Sequence, residues 1–94
     1  MQVRWLRRAL INLDEQAAYI ARDNPGAAAR TVDRIVTSVE GLGAHLGSGR
    51  PGRVPGTREL VVGGTPYLVP YRVRGGRVEI LPVFHGARKW PERF

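Results

Sequence analysis

The sequence predicts an α+β fold in which a helical hairpin packs on one face of a mainly antiparallel sheet, in the order β-α-α-β-β-β. Apolar residues recur every three or four positions through residues 6–46, with a break at Asn24-Pro25. After a loop rich in glycine and proline at residues 47–56, the apolar period changes to two. At 94 residues, the chain is expected to form one domain over residues 1–94.

The first two elements are a short strand and a helix. Residues 2–5 alternate polar and apolar side chains, which favours a strand. The apolar side chains that follow share one helix face: Leu6, Ala9, Leu10, Leu13, Ala17 and Ile20. Asn24 is a good N-cap and proline suits the first helical position, so Asn24-Pro25 ends this helix and begins the next.

The second helix has a regular apolar seam with 4-3-4-3-4 spacing. Its members are Ala28, Val32, Ile35, Val39, Leu42 and Leu46. The short junction at Asp23-Asn24 makes the two helices an antiparallel hairpin. Gly41 and Gly43 weaken the last turns, and Gly47 is the expected end. The four glycines and two prolines of residues 47–56 predict neither helix nor strand there.

Three further strands are predicted at residues 57–62, 67–73 and 78–85, with turns at 63–66 and 74–77. The last strand is apolar on both faces. Strict alternation puts Val78, Ile80 and Phe84 on one face and Leu81 and Val83 on the other. One face must meet the helices, and we expect a partner or the C-terminal tail to cover the other.

Two prolines, Pro70 and Pro82, lie inside predicted strands. Because proline cannot donate a ladder hydrogen bond, each marks a sheet edge or a bulge.

Positive charge is concentrated in the second half of the chain. Residues 1–47 carry six basic and five acidic side chains, whereas residues 48–94 carry nine and three. Such a field favours an acidic partner, either nucleic acid or a protein with an acidic segment, although a soluble basic surface remains an alternative. All but one of the basic side chains are arginines, whose forks suit carboxylate or phosphate.

Several classes of protein are disfavoured. Cysteine is absent, which excludes disulfides, thiolate metal sites and cysteine catalysis. No stretch approaches the ~20 apolar residues that span a bilayer, and the first residues do not read as a signal peptide, so we expect a cytoplasmic protein without membrane contact. His45 and His85 are remote from each other and lack carboxylates at ligand spacing, so we expect no metal and no cofactor.

The end of the last strand carries an unusual cluster. The apolar run from Leu81 to Phe84 is followed by His85, and then by Arg88, Lys89 and Trp90. A histidine, two cations and an indole therefore emerge together at one edge of the sheet.

The chain resembles toxins of the RelE/ParE superfamily from bacterial type II toxin–antitoxin modules, including the plasmid-stabilisation type. The resemblance covers nearly the whole chain and rests on the element order, on Asn24-Pro25 and on three strings: GRVPGTREL (52–60), YLVPYRV (67–73) and VEILPVFHGAR (78–88). It implies a growth inhibitor neutralised by a cognate acidic antitoxin, with operator DNA contacted only through that antitoxin.

The superfamily has two branches, and the resemblance implies different chemistry for each. RelE-like members cut messenger RNA on the ribosome without a metal, using a base, an acid and cations on the sheet. The candidates for this role are Arg58, Glu59, His85 and Arg88. The set is incomplete, because Gly86 replaces the tyrosine that commonly follows the last strand and no cation shortly precedes Tyr71. Arg88 or Lys89 substitutes only if the tail folds back over the sheet.

ParE-like members inhibit DNA gyrase and need no nuclease site. The residues expected to bind antitoxin or target are Arg50, Arg53, Arg72, Arg74, Arg77, Lys89 and Trp90. Each candidate has a structural alternative. His85 caps a strand end, one of Arg58 and Glu59 pairs with a charge on a neighbouring strand, and Trp90 plugs the edge of the core. The loop arginines are solvated or contact the antitoxin.

Three hypotheses follow. The first is a ParE-like gyrase inhibitor, the second a RelE-like ribosome-dependent mRNA endonuclease, and the third an inactive member that binds only antitoxin and operator DNA.

Overall fold

The computed structural model describes residues 1–86. Its helices and strands are β1 (Gln2–Trp5), α1 (Arg7–Ala21), α2 (Pro25–Glu40), β2 (Arg50–Pro51), β3 (Arg58–Val61), β4 (Tyr67–Arg74), β5 (Arg77–Ile80) and β6 (Phe84–His85). The sheet order is β1-β5-β4-β3-β2, and β6 pairs with β4 beyond the end of β5. The β1–β5 pair is parallel and the others are antiparallel, which confirms the predicted fold class.

The helical hairpin forms as the sequence predicts at its turn. Asn24 has an extended backbone, and its side-chain oxygen accepts a hydrogen bond from the Ala27 N–H at 3.0 Å, with Pro25 in the first turn. The second helix, however, ends at Glu40 and not near Gly47. Residues 41–43 continue as one 3-10 turn that still buries Leu42, because two glycines in three residues make a further α-helical turn costly.

The segment at residues 47–56 was predicted to contain neither helix nor strand, but the structure shows both. Leu46–Ser48 form a 3-10 turn, and Arg50–Pro51 pair with β3. That prediction was wrong because it considered local propensity alone, whereas the side chains of Tyr71 and Glu59 hold this segment from other strands.

The last predicted strand is two short strands joined by a bulge. Tyr71 pairs with Ile80 of β5, and Leu68 pairs with Phe84 of β6. Between these two pairs, β4 spans three residue steps and the β5–β6 segment spans four. The extra residue lies in the 81–83 segment, which contains Pro82. Pro82 therefore marks a bulge.

Pro70 lies in the central strand β4 and faces this bulge. The Leu81 N–H donates to the Pro70 carbonyl oxygen at 2.9 Å. In an antiparallel strand the N–H and C=O of one residue point toward the same neighbouring strand. An N–H at position 70 would therefore point toward the bulged 81–83 segment and not toward β3. The proline therefore removes no ladder bond to β3.

The bulge reverses the face on which the last strand places its side chains. Val83 joins Val78 and Ile80 in the core under the helices, whereas Phe84 lies opposite Leu68 on the other face. The predicted grouping of Phe84 with Val78 and Ile80 was therefore wrong. A one-residue insertion exchanges the faces of everything after it.

The two faces of the sheet differ in character. The helix-side face carries the main core, which contains Leu60, Tyr67, Val69, Tyr71 and Ile80 among others. We call the opposite face the outer face. Its apolar residues Leu68, Pro70 and Leu81 are buried in the isolated chain, while Val61 is 55% exposed. That a partner or the C-terminal tail covers this face stays a prediction.

The helices of residues 1–86 include none that is long and apolar enough to cross a membrane.

Candidate functional site

Arg58 lies on the helix-side face at the start of β3, opposite Tyr71. Its Nη1 donates a hydrogen bond to the Gly49 carbonyl oxygen at 2.9 Å. The buried Tyr71 hydroxyl donates to the Leu46 carbonyl at 2.6 Å and accepts from the Gly49 N–H at 2.9 Å. A Cβ at Gly49 would lie 2.5 Å from that hydroxyl, so only glycine fits there. Arg58 and Tyr71 therefore hold the 46–49 turn against the sheet.

Glu59 lies on the outer face and is only 1% exposed. One carboxylate oxygen accepts the Arg53 N–H at 2.7 Å. The other faces Arg50 Nη2 at 3.3 Å and Arg53 Nε at 3.7 Å. Arg50 is the direct cross-strand neighbour of Glu59, so Glu59 forms the ion pair with a neighbouring strand that the sequence left open. The carboxylate ties both loop arginines to the sheet.

His85 lies at the far end of β4, opposite Tyr67. The two rings meet edge to face, with centroids 5.7 Å apart at 80°. The Tyr67 hydroxyl donates to Gln16 Oε1 at 3.3 Å. His85 lines an open cleft of about 470 Å³ at the turn of the helical hairpin. The other residues lining this cleft are Tyr19, Ile20, Asp23, Asn24, Pro66 and Tyr67.

These positions do not bring the nuclease candidates together. Arg58 and His85 share the helix-side face, but their partners Tyr71 and Tyr67 are four residues apart on β4, or roughly 13 Å. Glu59 follows Arg58 directly in β3 and lies on the other face. Arg88, the fourth candidate, lies outside the described residues, as do Lys89 and Trp90.

The outer face carries a cluster of arginines around one carboxylate. Arg72 donates to its cross-strand partner Glu79, with Nε and Oε1 2.9 Å apart. This hydrogen bond is the main reason that the pKa of Glu79 is lowered; desolvation opposes it, and the charges of Arg72, Arg74 and Arg4 add to it. Arg74 lies directly opposite Arg77 on the same face, and Arg4 of β1 lies beside Glu79.

Sequence reasoning singled out Arg72, Arg74 and Arg77 but missed Arg4. The alternation of residues 2–5 does place Arg4 on the opposite face from Val3 and Trp5. Nothing in the sequence indicates that β1 lies parallel to β5, and that pairing brings Arg4 beside Glu79.

Metal ligands are not grouped in this part of the chain: within residues 1–86, no three His, Cys, Asp or Glu side chains come together as a metal ion requires.

Comparison with known proteins agrees with this architecture. The family model of ParE toxins of type II toxin–antitoxin systems, parDE, matches residues 3–90. The chain is 52% identical over 91 residues to a Sinorhizobium fredii protein described as "Putative toxin Y4kP", covering 97% of this chain and 94% of that one. It is 38% identical over 87 residues to "Toxin RelE2" of Caulobacter vibrioides, covering 93% and 97%.

A solved structure shares the fold. A chain of the chromosomal ParDE toxin–antitoxin system from P. aeruginosa superimposes with a TM-score of 0.80 at 35% identity, covering 90% of this chain and 95% of that one. The family model, the two toxin relatives and the shared fold together show that the chain is a toxin of the RelE/ParE superfamily. Within it, the chain belongs to the ParE toxin family of ParDE-type toxin–antitoxin systems, a family that implies an antitoxin partner.

Proposed function

We propose that the protein stops growth by binding and inhibiting DNA gyrase, without cutting RNA, and that a cognate acidic antitoxin neutralises it. The observation that carries this proposal is the separation of Arg58, Glu59 and His85. General acid–base cleavage needs its groups within hydrogen-bond reach of one substrate. Here one candidate lies on the other face of the sheet, and the remaining two lie opposite residues of β4 that are four positions apart, or roughly 13 Å.

The contacts of Arg58 and Glu59 support the same conclusion. The Arg58 guanidinium and the Glu59 carboxylate already hold the 46–53 segment against the sheet. Their arrangement is that of a structural clamp.

A second candidate function has a specific observation in its favour. The relative from Caulobacter vibrioides carries the name of a RelE toxin. His85 also lies at the rim of an open cleft, with its ring edge to face with that of Tyr67. A ribosome-dependent mRNA endonuclease would then use His85 with Arg88. The third hypothesis is an inactive member that binds only antitoxin and operator DNA.

Two assays on purified toxin separate these functions. We expect inhibition of gyrase-catalysed supercoiling and no ribosome-dependent cleavage of a translated message. His85→Ala is expected to leave gyrase inhibition unchanged. Codon-biased cleavage that His85→Ala abolishes would instead establish the nuclease, and toxin that affects neither reaction nor growth would leave the inactive member.

The antitoxin has its own test. The acidic partner is expected to cover positive and apolar surface of the toxin and so to bind only the folded state, which raises the melting temperature of the complex. A melting temperature that is the same with and without the product of the adjacent acidic reading frame would contradict neutralisation by direct binding. Because the antitoxin is expected to cover the positive surface of the toxin, operator DNA should bind the complex only through the antitoxin.

A further inference from the structure

The outer face carries four arginines on three adjacent strands, and we call them the arginine patch: Arg4, Arg72, Arg74 and Arg77. Arg4 of β1, Glu79 of β5 and Arg72 of β4 form one cross-strand row. Gln2, Arg77 and Arg74 form the next row. Neighbouring strands are about 4.8 Å apart and alternate residues about 6.6 Å, so the patch measures roughly 10 by 7 Å between Cα atoms.

The fold neutralises only one of these charges. Glu79 is the carboxylate within the two rows, and it is hydrogen-bonded to Arg72. Arg4, Arg74 and Arg77 are exposed and have no ion-pair partner in the part of the chain that the structure describes. Arg74 also lies directly opposite Arg77, and like charges at such a position destabilise a sheet. The patch therefore keeps surplus positive charge that can receive an anion.

We propose that the arginine patch binds the phosphate backbone of duplex DNA. Guanidinium forks match phosphate oxygens, and one strand of a duplex presents a charge about every 3.4 Å of its axis, so about three phosphates lie along the patch. The partner class rests on the proposed function, since a gyrase inhibitor acts where gyrase holds DNA.

The neighbours of the patch favour a phosphate backbone over other acidic partners. The two rows contain no aromatic side chain on which an unpaired base would stack. The apolar residues that alternate with these rows, Val3, Val73 and Val78, lie on the opposite face of the sheet. A protein interface has an apolar centre, and the two rows of the patch contain no apolar side chain. Binding is therefore expected to be electrostatic and independent of DNA sequence.

The test is direct binding of the full-length toxin, without gyrase, to a fluorescent duplex of random sequence, followed by anisotropy. The patch variant is R4Q/R74Q/R77Q, which leaves the Arg72–Glu79 pair intact. The control variant, R8Q/R22Q/R30Q, removes the same charge from exposed positions of the helical hairpin. Melting temperatures show that both variants fold, and relief of the Arg74–Arg77 repulsion should keep that of the patch variant at or above wild type.

We expect the patch variant to bind at least about tenfold more weakly at about 50 mM salt, and the slope of log K against log salt to fall by about 2.7, or 0.9 for each lost phosphate contact. The control variant should change affinity less than about threefold. Equal losses in the two variants would show that only net charge matters and would overturn the proposal.

A polyglutamate peptide separates phosphate from protein recognition. If the peptide binds wild type more tightly than the duplex does, and loses that affinity in the patch variant, the patch is an acidic-protein site and the proposal is wrong. Failure of the proposed function looks different. DNA binding would then still depend on the patch, while supercoiling proceeds uninhibited.

Discussion

Replacing Glu59 by glutamine tests whether this carboxylate is a clamp or a catalytic base. The side chain is 1% exposed, and its contacts are the Arg53 N–H at 2.7 Å, Arg50 Nη2 at 3.3 Å and Arg53 Nε at 3.7 Å. Glutamine has almost the same shape. It keeps one oxygen that can accept the Arg53 N–H, but it loses the charge that holds both guanidinium groups.

The size of the effect follows from the exposure of the partners. A hydrogen bond to a buried charge contributes about 1.5–3 kcal/mol. The Arg50 and Arg53 side chains are 54% and 44% exposed, so water replaces part of what they lose. We therefore expect Glu59→Gln to lower the free energy of unfolding by about 1–3 kcal/mol. In a domain of this size that is a fall in melting temperature of roughly 5–20 °C.

The assay pairs urea denaturation, followed by circular dichroism, with growth inhibition at a temperature at which both proteins are folded. Glu15→Gln is the matched control, because it makes the same chemical change at an exposed position of α1 and should shift stability by less than about 0.5 kcal/mol. A clamp predicts lower stability with toxicity retained. If Glu59→Gln abolishes toxicity while stability stays at the wild-type value, the carboxylate acts on a substrate, and the clamp interpretation is refuted.

Three further predictions use the same measurements. Tyr71→Phe removes the hydroxyl that is hydrogen-bonded to Leu46 and Gly49, and it should lower the free energy of unfolding by about 2–4 kcal/mol. Tyr67→Phe loses a single hydrogen bond of 3.3 Å and should have a smaller effect. Equal effects of the two substitutions would contradict the role given to the 46–49 turn. Asn24→Ala removes the cap of α2 and should cost about 1 kcal/mol in urea denaturation, whereas no change would show that Pro25 alone sets the helix start. The pKa of Glu79 is lowered in the folded state by its pairing with Arg72. This pair therefore stabilises the fold at pH values above the ordinary pKa of 4.5, and the stabilisation is lost as the pH falls through the lowered pKa. NMR titration should find the Glu79 pKa below its ordinary value and nearer to it in Arg72→Gln; a pKa that does not move would exclude Arg72 as the main cause.

Local signals in the sequence were sufficient for the helical hairpin and the hairpin of β4 and β5. Asn24 and Pro25 define the helix junction through their own side chains and backbone. Gly75 and Gly76 have φ angles of 60° and 72°, as the tight turn requires. Each signal lies within a few residues of the turn that it specifies, and both predicted turns are confirmed.

The candidate site was harder to predict, because its geometry depends on strand pairing. His85 faces Tyr67 on the helix side, since the bulge at residues 81–83 adds one residue to the last strand. Alternation counted from the sequence gave the opposite faces for Val83 and Phe84. A proline in a strand indicates that a bulge is possible. Only the pairing register shows that one strand has an extra residue that its neighbouring strand lacks.

The sequence by itself determined the order of elements, the cap of the second helix, the concentration of positive charge after residue 47 and the membership of a toxin superfamily. The first three properties depend on short-range periodicity, local signals and composition, whereas the superfamily follows from the resemblance of its motifs to those of known toxins. The tertiary structure decided that Glu59 ties down a loop, that Arg58 and His85 lie opposite residues four positions apart on β4, and that Arg4 joins the arginines of β4 and β5. Each of these contacts joins residues from different strands, and the pairing and register that bring them together follow from packing of the whole sheet against the helices.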